Sequence, residues 1–554
     1  MIEDEGEFLL GLEHIYNISD HNRVKIYNIT LSQNITVNKI YFDDGCIFIN
    51  KIITIGRIGI TSFDYMFVNT DFNGEIGLDW DTSKVTSMVG MFKNAIYFNR
   101  PFGQNWDTSQ VTDMSYLLKG AIRFNKKFGQ NWDTSKVTTL AHLLHKAARF
   151  DKPFGCYKGK SWDTSNVTDM SFLLSCAQSF NQVFGENWDT SKVRNMASLL
   201  EDAEEFNQPI GQNWDTTSLM DMAYMFAGAS TFNQPLNWDT SNVVTMKGMF
   251  SEAREFSQPF GDKWNTRNVE DMSEMFYYAR SFNQILYWDT SKVTNMEEMF
   301  AEAYSFNQPF PTGKYWNTSN VTSMAAMFCH AKSFNQSLKW DTSKVEDMSR
   351  MFCGAESFNQ SFDFPGEKYW DTSNLIDIRA IFNSAKKFDQ PLNWDTSKVK
   401  DMGYAFAYTE KFNKPFGPRW NTANVTNMGS MFRCAQSFNQ PLDWDTSNVK
   451  DMSHMFDQTI SFNQPFPTDK YWNTGNVTDM SYMFYMTGKF NQPVRQFNLT
   501  NIVKMDYMFA RAKKFNQLLD WKIPDRVDRV DIVHEAKEFD QNNWKIEILE
   551  TKNS

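Results

Sequence analysis

The chain has 554 residues, 41% hydrophobic and 22% charged, with 49 Phe and 18 Trp, a content that excludes a disordered chain and calls for a large aromatic interior. A net charge of −11 argues against a nucleic-acid-binding surface, and no stretch approaches the roughly 18 apolar residues of a membrane-spanning helix. The six cysteines, Cys46, Cys156, Cys176, Cys329, Cys353 and Cys434, follow neither CxxC nor zinc-ligand spacing, and for Cys176, Cys329, Cys353 and Cys434, which fall near a core alanine, packed, unpaired thiols are expected.

The N-terminal stretch MIEDEGEFLLGLEHIYN is acidic and lacks the basic leader and apolar run of a signal peptide. A soluble protein kept in a reducing compartment is the expectation. Residues 1–53 carry no repeat. Alternation in KIYNITLSQNITVNKIYF predicts two or more strands there, serving as a cap on the first coil or as a small separate module. Asn28, Asn34 and Asn320 open Asn-x-Thr triplets that matter only in a glycosylating compartment.

From about residue 54 one phrase recurs, as in FNQPLNWDTSNVVTMKGMF, Phe232 to Phe250. All 18 Trp, from Trp80 to Trp544, occupy one position of it, and Phe497 stands in for a missing member. Through Trp521 the next core Phe follows 18 residues later, as Phe98 follows Trp80 and Phe256 follows Trp238. The return segment varies: 6 residues from Phe232 to Trp238, 8 from Phe98 to Trp106, 10 from Phe306 to Trp316 and 12 from Phe150 to Trp162. Steps of two preserve the facing of an extended row, so this half reads as an edge loop lengthened in pairs.

Within the constant half, Val243, Met246, Met249, Phe250, Ala253 and Phe256 are spaced like a helical face, but the preceding Thr, Asn and Ser are poor helix interior. The prediction is short extended pieces around Trp238 and Val243 to Met246, then one or two helical turns over Met249 to Ala253. Asp239, Thr240 and Ser241 would supply turn or capping oxygens. A unit of 24 to 30 residues cannot bury its own apolar face, so coils must stack. The expected fold is an α/β repeat solenoid of leucine-rich-repeat-like coils, an elongated rod or arc over residues 54–520. Residues 521–554 would form a degenerate last coil and cap, because WKIPDRVDRVDIVHEAKEF loses the Asp-Thr-Ser turn.

Stacking turns each position into a ladder. The Trp and Phe ladders are predicted core. The Thr ladder (Thr82, Thr108, Thr240 and onward) is assigned to backbone hydrogen bonding rather than ice or glycan binding. Asp81 and Asp239 give way to Asn265 and Asn317 at the next position, which argues against repeated calcium sites. The Asn-Gln pairs, such as Asn233-Gln234, are expected to satisfy turn amides. Four successive coils replace Met-Phe by Leu117-Leu118, Leu143-Leu144, Leu173-Leu174 and Leu199-Leu200, and are expected to pack differently.

Catalytic motifs such as GxSxG, HExxH or a phosphate-binding loop do not occur, and His142 and His145 have no further ligand spaced with them. The reading is therefore not an enzyme, with no cofactor and no metal. Candidate partner-binding residues lie in the long return loops CYKGKSW, PTGKYW, PGEKYW and PTDKYW: Lys314, Tyr315, Lys368, Tyr369, Lys470 and Tyr471.

The phrase WDTSxVTxMxxMFxxAxxFNQPL is clear in WDTSKVTNMEEMFAEAYSFNQPF, Trp288 to Phe310, and in WDTSNVKDMSHMFDQTISFNQPF, Trp444 to Phe466. It resembles the repeat of the BspA-like leucine-rich-repeat surface proteins of unknown function, found in mycoplasmas, other bacteria, protists and large DNA viruses. The resemblance spans about residues 54–544. It implies a leucine-rich-repeat-like solenoid with Met, Phe and Trp replacing much of the Leu, and carries no shared catalytic site or ligand. A long repeat surface whose variable positions change over a fixed core points to a structural or protein-interaction scaffold, and the lack of a leader, with the family's distribution, to an intracellular or virion-associated setting. The alternative is a surface adhesin for host protein or glycan, its export signal removed. A protein partner is expected, with neither nucleic acid nor membrane insertion.

Overall fold

The structure, a computed structural model, describes residues 11–15, 26–32, 35–39, 49–55, 58–76, 80–103, 105–129, 132–154, 162–311, 315–364, 370–467 and 472–549, with backbone alone before residue 60. The chain divides into two compact units, Met1–Val269 and Glu270–Ser554.

The first unit begins with strands β1 (Gly11–Ile15), β2 (Ile26–Ser32), β3 (Ile35–Lys39), β4 (Ile49–Ile55) and β5 (Ile58–Ser62). The alternating sequence over β2 and β3 is therefore extended, as predicted. β2 pairs antiparallel with β1 and parallel with β4, whereas β3 and β5 pair parallel. β5 then joins β6 (Trp80–Asp81), so the first Trp rung pairs with a strand that itself pairs with β3 of the non-repeating segment.

From there the backbone of each coil follows one pattern. Parallel bridges link Ser87, Asp113, Thr139 and Asp169 in the first unit, and Asp347, Asp377, Asp401 and Asn427 in the second. Just after this bridge alternate amides take different partners. The N–H groups of Tyr224, Phe226 and Gly228 donate to Lys247, Met249 and Ser251 of the next coil at 2.8, 2.9 and 2.7 Å. Those of Met225, Ala227 and Ala229 fold back three residues, to Met222, Tyr224 and Phe226. The expected helical turns exist in this restricted form, as single turns closed three residues back. Left-handed residues stop them from propagating, Tyr224 at φ 55°, Gly228 at 67°, Gly248 at 55° and Glu252 at 56°. The extended pieces around Val243 to Met246 shrink to the single bridged residue Thr245.

The interior is built of stacked rings. Phe232 lies 6.0 Å from Phe256 at an interplanar angle of 4°, and Phe306 lies 6.0 Å from Phe334 at 5°. Trp214 and Trp238 stack at 5.8 Å, as do Trp370 and Trp394 at 6.0 Å. Seventeen of the tryptophans are buried, but Trp544 is 37% exposed, which corrects its assignment to the core: no further described coil lies over it.

Two interior positions trade volume. In the second unit the residue four past the core Phe alternates, Leu286, Phe310, Leu338, Phe362, Leu392, Phe416, and the Phe always falls in a coil with the longer return segment. Phe362 reaches two rungs, 4.4 Å from Trp370 and 5.2 Å from Trp394, so the neighbouring coil has room only for Leu. In the first unit Phe102, Phe128, Phe154 and Phe184 occupy this place in successive coils, 5.7 to 6.0 Å apart. The rings are accommodated because the adjacent core position has become Leu118, Leu144, Leu174 and Leu200. This is how the Leu-Leu coils pack differently.

Polar ladders seal the coils. The buried Thr after Trp bonds forward in most coils, Thr372 being an exception: the Thr108 hydroxyl donates to the Asp133 carbonyl at 2.9 Å and accepts the Asp133 N–H at 2.8 Å. The Asp or Asn before it caps the following turn, Asp239 accepting the Ser241 N–H and Asn265 that of Arg267, at 2.9 and 3.1 Å. An amide oxygen does this as well as a carboxylate, which is why the two residue types interchange. The Asn after the core Phe accepts the equivalent N–H of the next coil, as Asn335 does from Asn359 at 2.9 Å. The Gln360 amide reaches back to the same Asn335 oxygen at 3.1 Å. In the second unit β7 (Lys522–Pro524) pairs parallel with β8 (Glu547–Leu549).

Candidate interaction surface

Most left-handed residues hold their side chains outside the ring-filled interior, although Trp370 at φ 55° is itself a core rung and Ser198 is buried. Ten residues after successive Trp rungs stand Tyr116, His142, Phe172, Ser198 and Tyr224, each flanked by a fully buried Leu or Met. His142 is stacked between Tyr116 and Phe172, at 4.5 and 4.4 Å. The Lys93 and Lys119 ammonium groups lie over the Tyr116 ring at 5.7 and 5.2 Å. Burial, reinforced by Lys119, pushes both His142 and His145 down to about 4, so both are neutral at pH 7. The two histidines thus belong to an aromatic–basic patch.

The same positions of the second unit carry other chemistry: Glu274 and Glu298, then Ala326, Arg350 and Ala380, then Tyr404. Beside them Arg280 donates to the Tyr278 hydroxyl at 2.7 Å and lies over the Tyr278 and Tyr304 rings at 4.4 and 5.2 Å. A hydrogen bond with Glu302 pushes the Tyr304 hydroxyl up to about 12.

Of the residues predicted to contact a partner, Tyr315 is half-buried, its ring 5.6 Å from that of Tyr287 and nearly perpendicular to it. Tyr287 itself is 62% exposed. Lys314, Lys368, Tyr369, Lys470 and Tyr471 lie outside the described residues. The triplet residue Asn320 ties neighbouring coils together, because its side-chain amide donates to the Ser291 carbonyl at 2.8 Å and accepts from Lys344 at 2.6 Å.

The described cysteines, Cys176, Cys329, Cys353 and Cys434, are free, as expected, but half-buried on the outer face rather than packed in the core. Cys329 and Cys353 sit thirteen residues after Trp316 and Trp340 and therefore stack on adjacent coils. Together with His330 they form a cluster whose sulfur and imidazole nitrogen atoms all lie within 4.8 Å of one another. A hydrogen bond between the thiols raises Cys329 and lowers Cys353. Searching the sequence for CxxC spacing missed this group, although the shared offset from Trp and the Cys329-His330 adjacency both signal it.

The described residues assemble no clear catalytic cluster, and no helix among them is long and apolar enough to cross a membrane. A family model described as "Mycoplasma protein of unknown function, DUF285" matches the chain at residues 61–161, 154–262, 212–312, 261–364, 361–466 and 442–546. No curated protein matches. Among solved structures, the plant peptide hormone receptor RGFR1 in complex with RGF2 is 7% identical, with 96% of this chain and 99% of that chain covered and a TM-score of 0.20. A TLR13–ssRNA13 complex is 8% identical, covers 86% and 80%, and has a TM-score of 0.19. At these scores neither likeness carries an argument.

Proposed function

The chain belongs to the DUF285 family, and we propose that it acts as a non-catalytic protein-interaction scaffold. The observation that carries this reading is the column Tyr116, His142, Phe172, Ser198 and Tyr224. Its side chains change chemistry from coil to coil while the backbone bonds and the Thr rungs beneath repeat, and the Asn rungs vary only by Asp151, which accepts the same N–H. A repeat array built this way varies its surface without disturbing its core. Tyr and Arg, residues enriched at binding hot spots, come together in the second unit at Tyr278, Arg280 and Tyr304. The Lys314, Tyr315, Lys368, Tyr369, Lys470 and Tyr471 loops are a second contact edge in this reading. Residues 1–53 act as cap or small module, 54–520 as the repeat array and 521–554 as the closing coil.

A photo-cross-linking residue placed at Phe172, at Tyr278 or at Tyr315 in the native host tests the proposal. A protein adduct at the first two positions that Tyr116→Ala or Arg280→Ala abolishes supports the variable face. Adducts at Tyr315 alone transfer recognition to the loops, and a folded chain with no adducts above background at any position defeats the reading. For its place of action we propose an intracellular or virion-associated setting, compatible with a family that the resemblance places in large DNA viruses as well as in mycoplasmas, other bacteria and protists. Mass spectrometry of particle, membrane and soluble fractions checks this. Recovery only at an exposed cell surface, with glycan on Asn28 or Asn320, promotes the adhesin reading.

A further inference from the structure

We propose that Cys329, His330 and Cys353 form a binding site for a thiophilic divalent cation of the zinc type, a property separate from the scaffold reading. Two sulfurs and one imidazole are a ligand set that favours zinc over the hard cations calcium and magnesium. Tetrahedral zinc, with bonds of about 2.3 Å to sulfur and 2.0 Å to nitrogen, sets ligand atoms roughly 3.5–3.8 Å apart. The three candidate atoms already lie within 4.8 Å of one another, so closing on an ion asks for shifts of about 1 Å.

The coil backbone builds this arrangement. Equivalent positions put Cys353 directly on Cys329, and the His330 N–H donates to the Cys353 carbonyl at 2.5 Å, locking the two segments together. His330 is left-handed at φ 55°, which carries its ring out of the core. The ring lies over Gly354, where a Cβ would come within 2.2 Å of His330 Nδ1, so any side chain at 354 would drive the imidazole from its place beside the thiols. Glu302, in the coil before Cys329, and Arg350, in the coil of Cys353, both act on the two sulfurs. Three protein ligands leave a fourth position for water or for a group on a binding partner.

The test uses the full chain, reduced and stripped of metal, titrated with cobalt(II) as a spectroscopic probe. The expected result is one cobalt per chain with sulfur-to-metal charge-transfer absorption that zinc(II) abolishes by displacement. Cys329→Ser with Cys353→Ser should remove the absorption, Cys176→Ser with Cys434→Ser should leave it, and His330→Ala should weaken binding by roughly tenfold or more. Independently of any variant, zinc should protect Cys329 and Cys353 from alkylation but not Cys176 and Cys434, read by peptide mass spectrometry. Absence of the absorption from the folded wild-type chain, its persistence in the Cys329/Cys353 variant, or equal alkylation of all four thiols overturns the proposal. So does isolation of the natural chain with Cys329 and Cys353 joined as a disulfide, because both sulfur ligands would then be consumed.

Discussion

Thr240 and Asn265 exchange two hydrogen bonds between neighbouring coils, the hydroxyl donating to the Asn265 carbonyl and accepting the Asn265 N–H, each at 2.8 Å. A hydroxyl does both at once, which a carboxylate or an ammonium cannot. Thr240→Val keeps the shape but strands two backbone groups against a fully buried side chain, at an expected cost of roughly 2–4 kcal/mol. Thr240→Ser keeps both bonds. Hydrogen exchange at the Asn265 amide reads the effect locally: protection should fall in the Val variant and hold in the Ser variant. Equal protection in all three would mean that the exchange does not hold these coils together.

Phe310 lies edge-on to two indoles, 4.4 Å from Trp316 and 5.0 Å from Trp340. Phe310→Ala should therefore cost about 3–5 kcal/mol, as a cavity shared by two rungs. Leu338→Phe puts a second ring where the alternation permits none, and should cost about 1–3 kcal/mol. Combining Phe310→Leu with Leu338→Phe restores the ring count, so the double variant should unfold at higher denaturant than Leu338→Phe alone. If it unfolds at lower denaturant instead, volume trading is the wrong account of the alternation.

What could be read from the chain itself divides along physical lines. The core was legible because Val243, Met246, Met249, Phe250 and Phe256 keep a fixed distance from Trp238, and only a repeated burial pattern enforces that. The backbone path between them was not. Left-handed conformations usually announce themselves by glycine, yet Tyr224, Glu252 and Glu298 adopt them as ordinary residues, held there by inter-coil amide bonds that single-coil propensities do not register. The alternation of Leu286, Phe310, Leu338 and Phe362 is visible in the sequence, but its reason appears only once one ring is seen against two indoles. The Cys329–His330–Cys353 cluster was hidden for a similar reason. Motif spacing along the chain is irrelevant where one coil, here 24 residues, is the unit that brings ligands together.

Gly248 takes φ +55°, and a Cβ there would lie 2.3 Å from the Tyr224 ring. Gly248→Ala should destabilise through both the left-handed backbone, worth about 1–2 kcal/mol, and the displaced ring. In a Tyr224→Ala background only the first cost remains. A double-mutant cycle should therefore show coupling of about 1 kcal/mol or more between the two positions, measured by equilibrium unfolding. Strict additivity would show that the ring moves aside freely.

The two histidines of the aromatic–basic patch predict a pH response with a definite sign. Burial, then Lys119, holds both near 4 in the folded chain, whereas the unfolded value is the ordinary 6.5. Other neighbours act too: Lys93 further lowers His142, Asp169 opposes that, and Lys146 lowers His145. Above 6.5 both states are neutral and the pair leaves stability unchanged. Between 6.5 and 4 the unfolded chain binds protons that the folded chain refuses, so stability falls with pH through that window and levels off below it. Burial is only partial, and solvent should reduce the size of the loss. His142→Phe keeps the stack between Tyr116 and Phe172 and removes one titrating group. Its unfolding midpoint should drop less than that of the wild-type chain between pH 7.5 and 5, and comparing the two cancels the carboxylates that titrate in both. The same drop in each would show that His142 accepts its proton in the folded chain as readily as in the unfolded one, and that the stacked ring is not shielded as its neighbours imply.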